Sequence, residues 1–281
     1  MSESLSQWLA LRESADAAAR SVELTQAVAD RLPPERPIRI VDLGSGTGSN
    51  VRYLTSRLPP DQEWLLIDAD AALLDEARAR LPAFAPASAP GVRIDTRTQN
   101  LGALDPQIFA GRQLVTASAL LDLVSDRWLR ELAARCRAAG AIALLSLTYN
   151  GQSRCDPAEP EDDAIRLLMN RHQKRSDKGF GPAAGPDAVG AAARAFADAG
   201  YDVARVASDW LLSPDARDLQ RELIVGWADA AREIAPEQSS TIEDWLGRRL
   251  AHVEAGRSRT VVGHEDLAAF CPSPLILKSR A

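Results

Sequence analysis

Cysteine is scarce: Cys136, Cys155 and Cys271 are the only three in 281 residues, and they stand far apart. No C-x-x-C pair occurs, which argues against a disulfide framework and against a zinc site. Histidine is equally rare, limited to His172, His252 and His264. No H-x-H, H-E-x-x-H or acid cluster points to a catalytic metal, so none is expected. No apolar stretch approaches the ~18 residues of a membrane span. The opening Met1-Ser-Glu-Ser lacks the basic flank and apolar run of a secretory signal. Basic residues are scattered, the net charge is −6, and the one short basic stretch, Arg171 to Lys178, also holds Asp177. Phosphate binding needs a concentrated basic face. The expectation is a reduced, cytoplasmic protein with no nucleic-acid or membrane partner.

The chain is 46% hydrophobic and 26% charged, ordinary for a globular protein and long enough for one large domain with inserts. Its most informative stretch is Ile38-Arg-Ile-Val-Asp42-Leu-Gly44-Ser45-Gly46-Thr-Gly48. An apolar run breaks into three glycines at alternate positions, as in a buried strand that turns sharply into a helix. Glycine is needed where φ is positive or where a ligand touches main chain. The spacing is G-x-G-x-G, not the G-x-G-x-x-G of dinucleotide-binding enzymes. A carboxylate at Asp42, two residues before the first glycine, would repel a pyrophosphate and suit a cationic ligand. A second apolar run, Trp64-Leu-Leu-Ile-Asp68, ends in an acid 20 residues past Gly48, a spacing that fits one intervening helix.

Together these segments resemble motif I and the following acid of the class I S-adenosylmethionine-dependent methyltransferases. The resemblance covers residues 38–148. It implies a doubly wound, mostly parallel, Rossmann-like α/β fold with a seven-stranded sheet. It implies S-adenosylmethionine as cofactor, S-adenosylhomocysteine as product, and a small-molecule acceptor, with the protein a monomer or homodimer. Gly44, Ser45, Gly46 and Gly48 would line the methionine moiety, with Asp42 near its ammonium group. Asp68, with Ala69 beside it, would hold the ribose. The family places a polar residue after strand three against the adenine amine, often an acid. Here Gln99 and Asn100 stand in that place, and an amide can still accept that hydrogen bond. Ser118, at the end of strand four, would lie under the cofactor. The alternatives are a dinucleotide-dependent oxidoreductase and a non-catalytic cofactor-binding protein.

Strict alternation of strands and helices is the signature of a parallel sheet covered on both faces. Strands are expected at 38–43, 63–68, 92–97, 112–118 and 141–148. Helices are expected at 5–32, ending at Pro33-Pro34, and at 48–58, 70–81 and 125–138, with a Pro/Ala-rich loop at 82–91. Beyond Asn150 the expectation is an acidic loop at 151–163 and a helix at 161–174. A helix at 187–199, a strand at 201–208 and helices at 215–234 and 239–255 follow, then a last strand at 275–279. The whole is expected as one domain: a helical lid at 1–35, a cofactor core at 36–150, and helical inserts at 151–186 and 213–272 over the substrate site. Arg12, Asp16 and Arg20 share one helix face, either as a solvated salt-bridge ladder or as part of the lid.

Candidates for the acceptor side are Asp122, which either faces the acceptor or caps the next helix, Tyr149 directly after strand five, and His172. His172 opens a polar cluster at a helix end and, with an ordinary pKa near ~6.5, suits a general base; a structural role at the helix terminus is the alternative. Thr148-Tyr-Asn-Gly151 differs from the Asn/Asp-Pro-Pro-Tyr motif used on exocyclic amines. His264 reads as a helix start, His252 as structural, and Trp210 and Trp227 as core, with an aromatic wall in the insert as the alternative.

Overall fold

The computed structural model describes residues 2–33, 37–80, 91–175 and 177–272. Five parallel strands build the first part of one sheet: β1 (Ile38–Leu43), β2 (Gln62–Asp68), β3 (Val92–Thr98), β4 (Leu114–Ser118) and β5 (Ile142–Asp156). They stand in the order β3-β2-β1-β4-β5. β8 (Arg259–Phe270) then runs antiparallel beside β5, with β6 (Asp202–Ala207) and the short β7 (Trp210–Leu212) on its far side. The sheet therefore has eight strands rather than the expected seven, the extra one being β7.

Alternating side chains divide between two apolar layers, as the two-residue period of a strand requires. Val41, Leu43, Leu65, Ile67, Val115 and Leu145 face α5 (Asp126–Ala139) and α7 (Ala188–Asp198). Ile38, Ile40, Trp64, Leu66, Leu114 and Leu144 face α2 (Val22–Ala29) and α3 (Ser49–Thr55), with Leu74 and Ala77 of α4 (Ala71–Arg80) in the same layer. A third cluster joins α6 (Asp162–Arg175), α8 (Arg217–Ile234) and α9 (Ser239–Glu254). No helix among the described residues is long and apolar enough to cross a membrane.

Three segments depart from expectation. The N-terminal helix is two helices, α1 (Ser2–Ala19) and α2, broken at Arg20-Ser21. Ser21 caps α2 by accepting from Leu24 N at 3.0 Å, and its own N–H donates to Asp266 Oδ2 at 2.9 Å. Residues 151–156 are not a loop: β5 continues through them, with Gln152, Arg154 and Asp156 exposed and Cys155 buried. In the acidic run beyond, Glu159, Glu161 and Asp162 dock α9. Arg249 is fully buried and donates to Asp162 Oδ1 at 2.9 Å and to Pro157 O at 2.5 Å, Trp245 Nε1 reaches Asp162 at 2.8 Å, and Arg248 and His252 both reach Glu159. Residues 259–270 form a strand inside what reads as a helical insert, because its polar His264-Glu-Asp266 centre hides the strand pattern. The segment 275–279, the loop residues 82–90 and Pro34 lie outside the described residues.

Removing a buried cation strands its carboxylate partner. Arg249→Met should lower the unfolding free energy by about 3 kcal/mol, the low end of the range because Asp162 is partly exposed. Urea denaturation of the two proteins checks this.

Candidate active site

The glycine turn leaves β1 and enters α3 with Gly44, Gly46 and Gly48 all at positive φ (67°, 51° and 80°). The space around the turn is also tight. A Cβ at Gly46 would lie 3.0 Å from Leu9 Cδ1 of α1, and one at Gly44 would lie 3.3 Å from Leu120 Cδ1. α1 and the β4–α5 connection therefore press on the turn from two sides. Ser45 ties the turn to the sheet: its hydroxyl donates to Asp42 O at 2.9 Å and accepts from Ile67 N at 3.1 Å.

Asp42 is fully buried beneath the turn. Asn50 Nδ2 donates to its Oδ1 at 2.7 Å, while no described donor reaches Oδ2. Burial, only partly offset by Asn50, the Ser45 hydroxyl and the nearby Arg20 guanidinium, raises its carboxyl to about 7. A buried carboxylate oxygen without a donor is an invitation to a cation.

Asp68 stands at the rim. Its Oδ2 accepts from Gly46 N at 2.8 Å and its Oδ1 from Asp70 N at 3.0 Å. Gln99 N donates to Asp68 O at 2.8 Å, which brings β3's end beside it. Ala69 is exposed next to them. Asn100 spends its side chain on its own turn, accepting from Gly102 N at 2.7 Å. Among the described residues the Gln99 side chain makes no hydrogen bond, so it is the amide available to a ligand.

Ser118 ends β4, half-buried. The next residue, Ala119, has φ +52°, and Leu147 in the neighbouring β5 has φ +54°. Such left-handed non-glycine residues cost energy and concentrate at functional sites.

On the acceptor side, Asp122 lies in a short 3₁₀ turn between β4 and α5. It does not cap α5, because Ser125 does so, accepting from Trp128 N at 3.2 Å. Burial raises the Asp122 carboxyl, opposed by Arg12 and Lys178. Tyr149 is buried, and its hydroxyl donates to Asn170 Oδ1 at 3.0 Å. Burial pushes its phenol well above the usual tyrosine range, and the Asp122 charge adds to the rise. The structure thus brings Asp122 and Tyr149 into one electrostatic neighbourhood. His172 is not in it. Its Nε2 lies 2.8 Å from Glu233 Oε2, and the two line a depression between α6 and α8 with Arg175 and Ile234.

Several residues of this neighbourhood escaped the sequence. His264 is no helix start. It sits in β8 opposite Tyr149, buried, with its ring 5.0 Å from Trp210. Nδ1 is 3.0 Å from Val262 O, so Nδ1 carries the hydrogen and Nε2 the lone pair. Burial, then Arg12, lowers its pKa to about 3. Arg12 makes a two-pronged bond to Asp16 (2.9 and 3.0 Å) and lies 5.0 Å over Trp210, whose Nε1 donates to Asp16 at 3.0 Å. The Arg12–Asp16 pair is therefore enclosed rather than a solvated ladder. The i, i+4 spacing showed the shared face but not what covers it. Asn50 and Asp266 carried no local signal.

No family model matches the sequence. The chain is similar to a trans-aconitate 2-methyltransferase of Methylobacterium radiotolerans, 44% identical over 55 residues that are 20% of this chain and 21% of that protein. It is also similar to a trans-aconitate 2-methyltransferase of Methylobacterium nodulans, 41% identical over 66 residues, 22% of this chain and 25% of that protein. It thus spans between a fifth and a quarter of the length of the curated relatives it matches. Among solved structures, the cyclopropane synthase MmaA2 from Mycobacterium tuberculosis aligns over 88% of this chain and 82% of its own, at 12% identity and a TM-score of 0.46. A methyltransferase from Geobacter sulfurreducens, solved with S-adenosylhomocysteine, aligns over 89% and 90%, at 15% identity and a TM-score of 0.44. The strand order with its reversed β8, and the glycine turn set between Asp42 and Asp68, give this chain a doubly wound, mostly parallel, Rossmann-like α/β fold.

Proposed function

We propose that this protein transfers a methyl group from S-adenosylmethionine to a small-molecule acceptor. The observation that carries the proposal is the glycine turn between two carboxylates, with a buried Asp42 oxygen left without a donor. A pyrophosphate would meet that carboxylate with repulsion, whereas an α-ammonium group would supply the missing donor. The named activity of the two curated relatives supports methyl transfer and a small acceptor.

S-adenosylmethionine supplies an electrophilic methyl group on a good sulfonium leaving group. The protein's share is binding, alignment and exclusion of water. Gly44, Ser45 and Gly46 form the wall for the methionine moiety, and Gly48 starts the helix behind it. Asp68 holds the ribose hydroxyls: each carboxylate oxygen accepts one backbone N–H and keeps further acceptor capacity. Gln99 meets the adenine amine, with Ala69 and Asn100 on the same rim. Leu9 and Leu120 close over the turn and keep water out. On the acceptor side, Tyr149 stays protonated, donates to Asn170 and leaves its hydroxyl oxygen free to accept. His264 stays neutral and offers Nε2 as an acceptor, while Asp122 places a carboxyl group near Tyr149. His172, committed to Glu233 on the α6–α8 surface, takes no part.

Calorimetry should show saturable binding of S-adenosylmethionine and S-adenosylhomocysteine, weakened at least about tenfold in Asp68→Ala. A folded protein that binds neither overturns the proposal. Binding should also expel protons. Asp42 is about half protonated at pH 7 in the free protein, and an ammonium beside Oδ2 draws its pKa down. Measurements near pH 7 in buffers of different ionisation enthalpy should therefore show proton release, with affinity rising as the pH climbs through about 7. Asp42→Asn should abolish the release.

A further inference from the structure

A cavity of about 220 Å³ opens where α3, the end of β4, Leu147 within β5 and the α1–α2 hinge meet. Its wall includes Ser49 and Asn50, which follow the last glycine of the turn, together with Tyr53, Ser118, Leu147 and Arg20. Arg20 is only 5% exposed. Its Nη1 donates to Asn50 Oδ1 at 2.7 Å, and its guanidinium lies 4.4 Å over the Tyr53 ring. Nε is 3.7 Å from Asp266 Oδ2, an ion pair beyond hydrogen-bond reach. Nε and Nη2 are both buried, and no described acceptor meets either.

The neighbouring charges do not explain this. Both oxygens of Asp266 already accept backbone N–H groups, from Ser21 and from Leu147. Glu13 on the cavity wall is taken by Arg52, and Asp16 by Arg12. Arg20 is thus a buried cation with donors to spare, facing a cavity beside the glycine turn. Leaving buried donors unmet costs energy, and more when they are charged.

Asn50 supplies the second half of the pattern. Its Oδ1 accepts from Arg20 while its Nδ2 donates to Asp42. One amide therefore holds a cation and a carboxyl group side by side, each with unmet hydrogen-bonding capacity. That is the complement of a free amino-acid head: Asp42 for its ammonium, Arg20 for its carboxylate. Arginine suits the carboxylate because its planar fork can engage both oxygens.

We infer that Arg20 binds the α-carboxylate of the methionine moiety and so selects ligands that carry the whole amino acid over nucleosides that lack it. This rests on the methyltransferase reading above. Arg20 is also the residue at which α1 turns into α2, so the bound carboxylate fixes the hinge from which α1 reaches back over Gly46.

The test compares affinities for S-adenosylhomocysteine and for 5′-methylthioadenosine, which keeps the nucleoside and the thioether but has no amino acid. In Arg20→Gln the affinity for S-adenosylhomocysteine should fall about tenfold to a hundredfold, while that for 5′-methylthioadenosine stays within about twofold. Wild-type protein should bind decarboxylated S-adenosylmethionine on the order of tenfold more weakly than S-adenosylmethionine, a comparison that needs no variant to fold. Equal losses for both thioether ligands would make Arg20 a structural residue only and overturn the inference. So would unchanged affinity for S-adenosylhomocysteine, or equal binding of the decarboxylated compound. Wild-type protein that binds 5′-methylthioadenosine and S-adenosylhomocysteine equally well would sink the carboxylate site while sparing the nucleoside site. Folded wild type that binds none of them would sink the cofactor reading itself.

Discussion

A single buried carboxylate, Asp266, sets the geometry on which the site depends. It lies fully buried in β8, where an uncompensated charge would be prohibitive. Its oxygens are compensated by two backbone N–H groups from remote parts of the chain, Ser21 at 2.9 Å and Leu147 at 2.8 Å, and by the Arg20 ion pair. Those bonds pin the α1–α2 hinge to the reversed strand and hold β5 at the point where Leu147 takes its left-handed conformation. Without that anchor neither the direction of α1 nor the shape of the sheet's carboxyl edge would be determined.

From the anchor the polar chain runs inward: Asp266 to Arg20, Arg20 to Asn50, Asn50 to Asp42. It ends under the glycine turn at Asp42, whose Oδ1 takes the Asn50 bond and whose Oδ2 has no donor. A fully satisfied network would serve rigidity alone. This one stops short at both a cation and a carboxyl group, which places its energetic deficit where a zwitterionic ligand would relieve it. The aromatic side of α1 shares the same helix. Arg12 and Asp16 seat Trp210, and the Arg12 charge adds to burial in lowering the His264 pKa, so the placement of α1 links the two halves of the pocket.

The parallel half of the sheet was legible because its residues bury locally. Apolar runs such as Ile38–Leu43 and Ala141–Leu147, broken by glycine and proline, need no distant partner to be recognised as strands. The glycine turn with Asp42 and Asp68 was legible for the same reason, since local backbone demands fix residue type. The other half depended on long-range compensation. Residues 151–156 and His264-Glu265-Asp266 look like loop or helix start because they are polar, yet their partners across the sheet and on α9 make them strand and dock. Asp16, Arg20 and Asn50 gave no hint of burial, because their partners come from β7, β8, β1 and β4. His172 stood out locally as a polar cluster at a helix end, and that prominence reflects an ion pair with Glu233 rather than a place in the pocket.

The central claim is that the α1–α2 hinge and the glycine turn form one ligand-responsive unit through Asn50. Hydrogen–deuterium exchange of the whole protein with increasing S-adenosylhomocysteine tests it directly. The account predicts that amides of residues 16–24 and of residues 42–50, far apart in sequence, become protected together at the same ligand concentration. Protection of the glycine turn with no change at the hinge would contradict it.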